Sequence, residues 1–241
     1  MNAATTQPGS PPSDERQPLS RERILRAAID LADAGGIEAL TMRRLGQALG
    51  VEAMSLYNHV ANKDDILVGM LELVHQEMLL PNAADGWKES LRASAISSHE
   101  VLMRHRWAAS LRMSTARMSA AHLRWMDAVL RCLREGGFSV DMTHHAFHAL
   151  ESHIVGFTLW LANMPALGDE LIDLARAFLE NFPVADYPYF VEHARYHMQP
   201  KDPDEPSEFE FGLDLILDGL ERLRDGGDPL LLPLQERWMN E

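Results

Sequence analysis

Arg43, Arg44, Tyr57, Asn58, His59 and Lys63 bring cations and polar donors together in one short stretch, TMRRLGQALGVEAMSLYNHVANK (41–63). A set of this kind could make a small local footprint on a nucleic acid. A second possible chemistry comes from the eleven His. His144 and His148 are four residues apart, as are His193 and His197, so each pair can face one way on a helix, with Glu151 near the first. No third ligand at a fixed offset and no HExxH accompany them, so neither a metal nor a cofactor is expected. A third set is soft and aromatic: Met103, Trp107, Met113, Met118, Trp125, Met126, Phe147 and Trp160. Met adapts to irregular apolar shapes and Trp adds a donor, the make-up of a small-molecule pocket.

Charge decides how the first set could act. The chain carries −14 overall. Residues 1–65 hold 7 Lys/Arg against 9 Asp/Glu, net −2, and residues 66–241 hold 15 against 27, net −12. Bulk attraction to nucleic acid is excluded, yet a local footprint is not, because salt screens each charge within about 8 to 10 Å. The longest apolar run, Ile154 to Ala162, is too short to span a bilayer. The Pro- and Ser-rich start, MNAATTQPGSPPSDERQP, lacks an apolar signal-peptide core and reads as a disordered tail, so a cytoplasmic protein is expected. Cys132, the only cysteine, forbids an internal disulfide.

These residues must be held by helices, because apolar positions recur at three and four and alternation is almost absent. The fold class expected is all-α. Ser20 caps a helix to about Ala34 and Thr41 caps a second that ends at Gly50. A third covers about Ala53 to His59, and a fourth runs from Lys63 to about Leu80. Longer helices follow over 87–105, 120–135, 140–163, 169–181, 187–198 and 206–224. Domains are expected at 19–65 and 66–225, with tails at 1–18 and 226–241.

The second and third helices make a helix-turn-helix. Met42, Leu45 and Leu49 can meet Val51, Leu56 and Val60, with Gly46 small at the crossing and Gly50 free to turn left-handed. Once these face inward, Ala53, Met54, Ser55, Tyr57, Asn58 and His59 remain outside.

The stretch LTMRRLGQALGVEAMSLYNHVANKDDIL resembles the helix-turn-helix of the tetracycline-repressor family, in its Thr-x-Arg start, its LGV turn, and its Leu-Tyr-x-His-Val before x-Asn-Lys. FEFGLDLILDGLERL (209–223) is similar to the terminal helix of that group. The resemblance implies a DNA-binding regulator, not an enzyme, with a helix-turn-helix domain joined by a connecting helix to a helical ligand-binding and dimerisation domain. Thr41 and Arg43 would meet phosphate or a base at the groove edge, and Tyr57, His59 and Lys63 would anchor phosphates. Ala53, Met54, Ser55 and Asn58 would read bases, Asn58 by a bidentate contact to adenine and Met54 or Ala53 against a thymine methyl.

A reader of about two turns covers too few base pairs to specify a site, so a homodimer on a palindromic operator is expected. Phe147, Leu150, Ile154, Phe157, Leu213, Ile216, Leu217 and Leu220 would form the dimer interface in a four-helix bundle. An inducer would sit among Met103, Trp107, Met113, Met118, Trp125, Met126, Phe147 and Glu151 and release the repressor. A loose alignment puts Arg112 where tetracycline-resistance members use a His for the antibiotic's magnesium, which argues against tetracycline. The alternatives are a helical metal-dependent hydrolase and an interaction module that has lost DNA binding.

Overall fold

The computed structural model describes residues 18–115, 117–164, 168–180, 182–199 and 205–226, and among these the regular elements are all helical. The expected tails fall almost wholly outside the described residues. The first helix, α1 (Arg21–Gly35), starts where Ser20 Oγ accepts the Arg23 N–H and stops at Gly36, whose φ of 73° leaves the helical region. The second, α2 (Met42–Leu49), starts at Thr41, whose Oγ1 accepts from Arg44 N–H, and ends at Gly50 in the left-handed conformation. Each such N-cap stabilises its helix by about 1 kcal/mol.

Two helices are shorter than their periodicity predicts. Helix α3 (Ala53–Leu56) stops before His59, and residues 57–59 continue it as tighter turns, with Tyr57 N–H on Met54 O and His59 N–H on Leu56 O. Helix α4 (Lys63–Gln76) ends four residues before Leu80 because the next helix takes over its backbone groups. Ser97 Oγ accepts from Leu79 N–H at 3.0 Å and Ser94 Oγ donates to Leu79 O at 2.7 Å. Hydroxyls one turn apart thus replace the helical ladder with a clasp.

That next helix is α5 (Trp87–Arg104). It is followed by α6 (Arg106–Ser114), a helix the sequence reading leaves unassigned. No Gly or Pro separates the two. The break is the single residue His105, at φ −111° and ψ 63°, whose ring is held by Asp33 of α1. Helices α7 (Ala120–Glu135), α8 (Val140–Ala162), α9 (Asp169–Glu180), α10 (Pro188–His197) and α11 (Glu208–Gly226) complete the described chain. Among the described residues no helix is long and apolar enough to cross a membrane.

One apolar core runs from α1 through α4 to the packed set of α5, α7, α8 and α11. This corrects the expected dimer stripe. Leu150, Ile154, Leu213, Leu217, Leu220 and Phe147 are buried within a single protomer, where they hold α8 and α11 against α5 and α7. Phe157 and Ile216 pack partly against the same core. A helix has more than one apolar edge, and periodicity alone does not say which faces inward. The outward edge carries Trp160 (56% exposed), Phe211 (60%) and Leu215 (56%), with Val140 at the start of α8.

Candidate nucleic-acid interface and ligand cavity

The reader is built by close approach. A Cβ on Gly46 of α2 would stand 2.9 Å from Val51 O and 3.1 Å from Ala53 N, so only Gly lets α2 pack directly on the start of α3. Leu45, Leu56 and Val60 are buried beneath, and Met42, Leu49 and Val51 pack around them. What this core leaves outside is a short ridge. Met54 is 75% exposed, and Tyr57, Asn58, His59 and Lys63 are exposed beside it, with Thr41 and Arg43 at the start of α2. Ala53 and Ser55 are half-buried at its edge. Among the described residues no carboxylate pairs with Arg43 or Lys63, so both cations face outward unneutralised.

Asp65 fixes this ridge against the rest of the domain. Its carboxylate takes two hydrogen bonds from Arg21 of α1, at 2.6 and 2.8 Å, and a third from Ala61 N–H at 3.0 Å, while Asn62 Oδ1 caps α4 on Asp65 N–H. The Arg21 guanidinium holds the carboxyl below its ordinary range, helped by Ala61 N–H and opposed by partial burial. The turn carrying His59 and Lys63 is therefore pinned at its base.

The second site is a cavity of about 640 Å³ between α4, α6, α7 and α8. Of the expected pocket residues, Met113, Met118, Met126, Phe147 and Glu151 line it, Met113 and Met118 being largely exposed at its margin. The other three lie elsewhere. Trp125 stands behind the wall, its Nε1–H on Ser94 Oγ at 3.1 Å. Met103 is half-buried on α5 and does not reach the cavity. Trp107 points the other way, into the seam between domains, where its Nε1–H donates to Asp33 at 2.6 Å.

The polar part of the wall was not foreseen as a group. His75 of α4 and His122 of α7 meet with ring centroids 4.8 Å apart, and both are almost fully buried. Burial and then the nearby Arg112 guanidinium lower their pKa, to about 4 for His75 and about 3 for His122, where His75 contributes as well. Both rings are thus neutral near pH 7. Arg112 is paired with Glu151. Burial pulls the Arg112 pKa down and the Glu151 carboxylate opposes it. Glu151 is thus taken up by Arg112, while the rings of His144 and His148 sit 4.6 Å apart on exposed positions of α8, with His148 at the edge of the same cavity. Among the described residues no group of three potential metal ligands forms, and the side chain of His197 lies outside what is described. The signal available in the sequence was His at core positions: His75 follows Leu71 and Val74 on the buried face of α4.

Reader and cavity are joined through α6. One end of that helix carries Arg112 and Met113 to the cavity, and the other brings Trp107 and His105 to Asp33 of α1. His105 Nε2 also lies 3.4 Å from Glu77, just beyond α4.

Comparison with known proteins bears on this arrangement. Residues 24–70 match the model of the bacterial regulatory proteins of the tetR family, and residues 80–224 match that of the tetracyclin repressor-like C-terminal domain. The chain belongs to the tetR family. Membership makes it a transcriptional regulator rather than an enzyme, which removes the hydrolase reading. The tetracycline repressor class D of Escherichia coli is 31% identical over 225 residues, covering 89% of this chain and 98% of its own. A possible TetR family transcriptional regulator from Streptomyces coelicolor A3(2) superposes with a TM-score of 0.71 at 30% identity, over 85% of this chain and all of its own. ActR of Streptomyces coelicolor, solved in complex with actinorhodin, has a TM-score of 0.69 at 26% identity, over 87% of this chain and 100% of its own.

Proposed function

We propose that this tetR-family regulator is a repressor that binds a palindromic operator as a homodimer and leaves it when a small molecule enters the cavity. The observation carrying the reading is the continuity of α6, which touches the cavity lining at one end and the reader's α1 at the other. Related chains described as repressors, and ActR with actinorhodin bound, support ligand control as the mode of regulation.

Thr41, Arg43, Tyr57, His59 and Lys63 hold phosphates and set the register, while Ala53, Met54, Ser55 and Asn58 face base edges. The two-fold axis runs along the outward edge of α8 and α11, where Trp160, Phe211 and Leu215 find apolar cover against a second copy. Gly219, where an added Cβ would meet nothing among the described residues, leaves the backbone of α11 room to approach its symmetry mate. The exposed aromatic side of α9 and α10, with Phe178 and Phe190, adds to the surface that pairing covers.

Selection of bound sequences from a random DNA pool tests the reading. The expected product is an inverted repeat with half-sites about one helical turn apart. A pool that yields no enriched sequence at low ionic strength overturns it.

A further inference from the structure

Among the described residues, two buried nitrogens in the cavity wall have no partner: His75 Nε2 and His122 Nδ1. Both residues line the cavity and both are more than nine-tenths buried, at 3% and 6% exposure. An unmet polar atom in such a place costs about 1–3 kcal/mol, which a ligand that meets it recovers on binding. Which group would meet them follows from what their rings already do.

His122 Nε2 lies 4.0 Å from Glu151 Oε1, so the carboxylate favours the proton on Nε2 and leaves Nδ1 as an acceptor. His75 Nδ1 shares a 3.1 Å hydrogen bond with Ser119 Oγ, which also accepts the His122 backbone N–H. A hydroxyl can give or take a proton, so the Ser119 contact by itself leaves the His75 tautomer open, while the Leu71 carbonyl beside the ring favours a ring N–H. The cavity thus asks for a proton at His122 and adapts at His75. A group with both a proton and lone pairs fits this pair, and a hydroxyl is the simplest.

The surrounding charge argues against an ionised ligand head. At the buried end of the cavity the Arg112 guanidinium is already occupied by Glu151, so an acid there would have to displace that carboxylate or lie beside it, and the other lining cation, Arg117, stands exposed at the margin. A cation would meet Arg112 in a buried site. Met113, Met126, Phe147 and Leu159 make much of the remaining lining apolar, and about 640 Å³ is room for a fused ring system.

The geometry points to an uncharged, ring-shaped ligand whose phenol or alcohol hydroxyl donates to His122 Nδ1 and meets His75 Nε2. This inference rests on the cavity being the ligand site. Its test uses three matched probes on the full chain at pH 7 by equilibrium dialysis: 9-phenanthrol, 9-methoxyphenanthrene and phenanthrene-9-carboxylate. The phenol binds at least tenfold tighter than the ether, which can accept but not donate, and tighter than the acid. His122→Phe brings phenol and ether within about threefold of each other while ether binding persists. Wild-type protein that binds ether and phenol equally, or prefers the acid, overturns the hydroxyl assignment and leaves the cavity as a ligand site. Failure of all three to bind at their solubility limits overturns the assignment and the cavity reading together.

Discussion

Trp107 Nε1–H reaches across the domain seam to Asp33, 2.6 Å away, and ties the helix that floors the ligand cavity to the first helix of the DNA reader. The same carboxylate accepts from His105 Nδ1 at 2.9 Å, so the break residue and the first turn of α6 converge on one side chain. A charge-assisted hydrogen bond of this kind contributes about 1.5–3 kcal/mol. That is also the usual size of a coupling free energy between two sites.

Trp107→Phe keeps the ring and removes the hydrogen bond. Operator affinity without ligand is expected to stay within about threefold. The ratio of affinities with and without a bound inducer is expected to fall by about tenfold, which corresponds to about 1.4 kcal/mol of coupling. Fluorescence anisotropy on labelled operator reads both quantities, and an unchanged ratio removes Trp107 from the coupling.

On the reader, Lys63→Ala and Asn58→Ala are expected to fail differently. The lysine change weakens binding to all sequences alike and lowers the magnitude of the salt slope by about one, the share of a single neutralised phosphate. The asparagine change relaxes preference at one base pair per half-site, by about 1–3 kcal/mol, with the salt slope intact. Titrations at several salt concentrations on specific and scrambled duplexes separate the two.

Gly46→Ala places a methyl 2.9 Å from Val51 O, against backbone that cannot swing aside. The start of α3 must shift, so operator binding is expected to drop by at least tenfold while the larger helical domain keeps its melting behaviour. Operator titration with calorimetry checks this, and wild-type affinity would show that the crossing tolerates a side chain.

How much of this was legible beforehand depends on the range over which each feature is determined. Helix starts were readable because Ser20 and Thr41 act within three residues of themselves. The reader was readable for the same reason, since Gly46, Gly50 and the apolar residues around them belong to one local motif. The end of α4 was not, because Ser94 and Ser97, more than a dozen residues later, decide it. Trp107 suits a pocket and a seam equally well by its chemistry, and only the packing of α6 on α1 brings its Nε1–H to Asp33. His75 and His122 stand far apart in the sequence, and only the packing of α4 on α7 makes them a pair.

Acid should reveal that pair. Both folded-state pKa values lie below the ordinary 6.5, so the unfolded chain binds more protons as pH falls, and stability drops between about pH 6.5 and 3. The groups facing the rings are Arg112 from α6, Glu72 from α4, Glu151 from α8 and Ser119 before α7. The double variant His75→Phe/His122→Phe is expected to flatten the fall of melting temperature over that window. Equal slopes for wild type and variant would mean that other groups carry the acid sensitivity.

Leu215→Glu is expected to convert the protein to a monomer by sedimentation and to abolish operator binding, because Leu215 lies on the outward edge of α11. A stable dimer would place the two-fold axis on another face.

The clasp that cuts α4 short has a mechanical meaning. With Leu79 held by Ser94 and Ser97 at one extremity and Asn62 and Asp65 seated under the reader at the other, the fourteen residues of α4 form a rod about 21 Å long with a pivot at the serines. A rotation of about 5° there displaces the far tip by about 2 Å, and two-fold symmetry would double the change in spacing between the tips. A duplex offers its successive grooves at one fixed pitch, so in the proposed homodimer a swing of that size would carry both tips out of step with it.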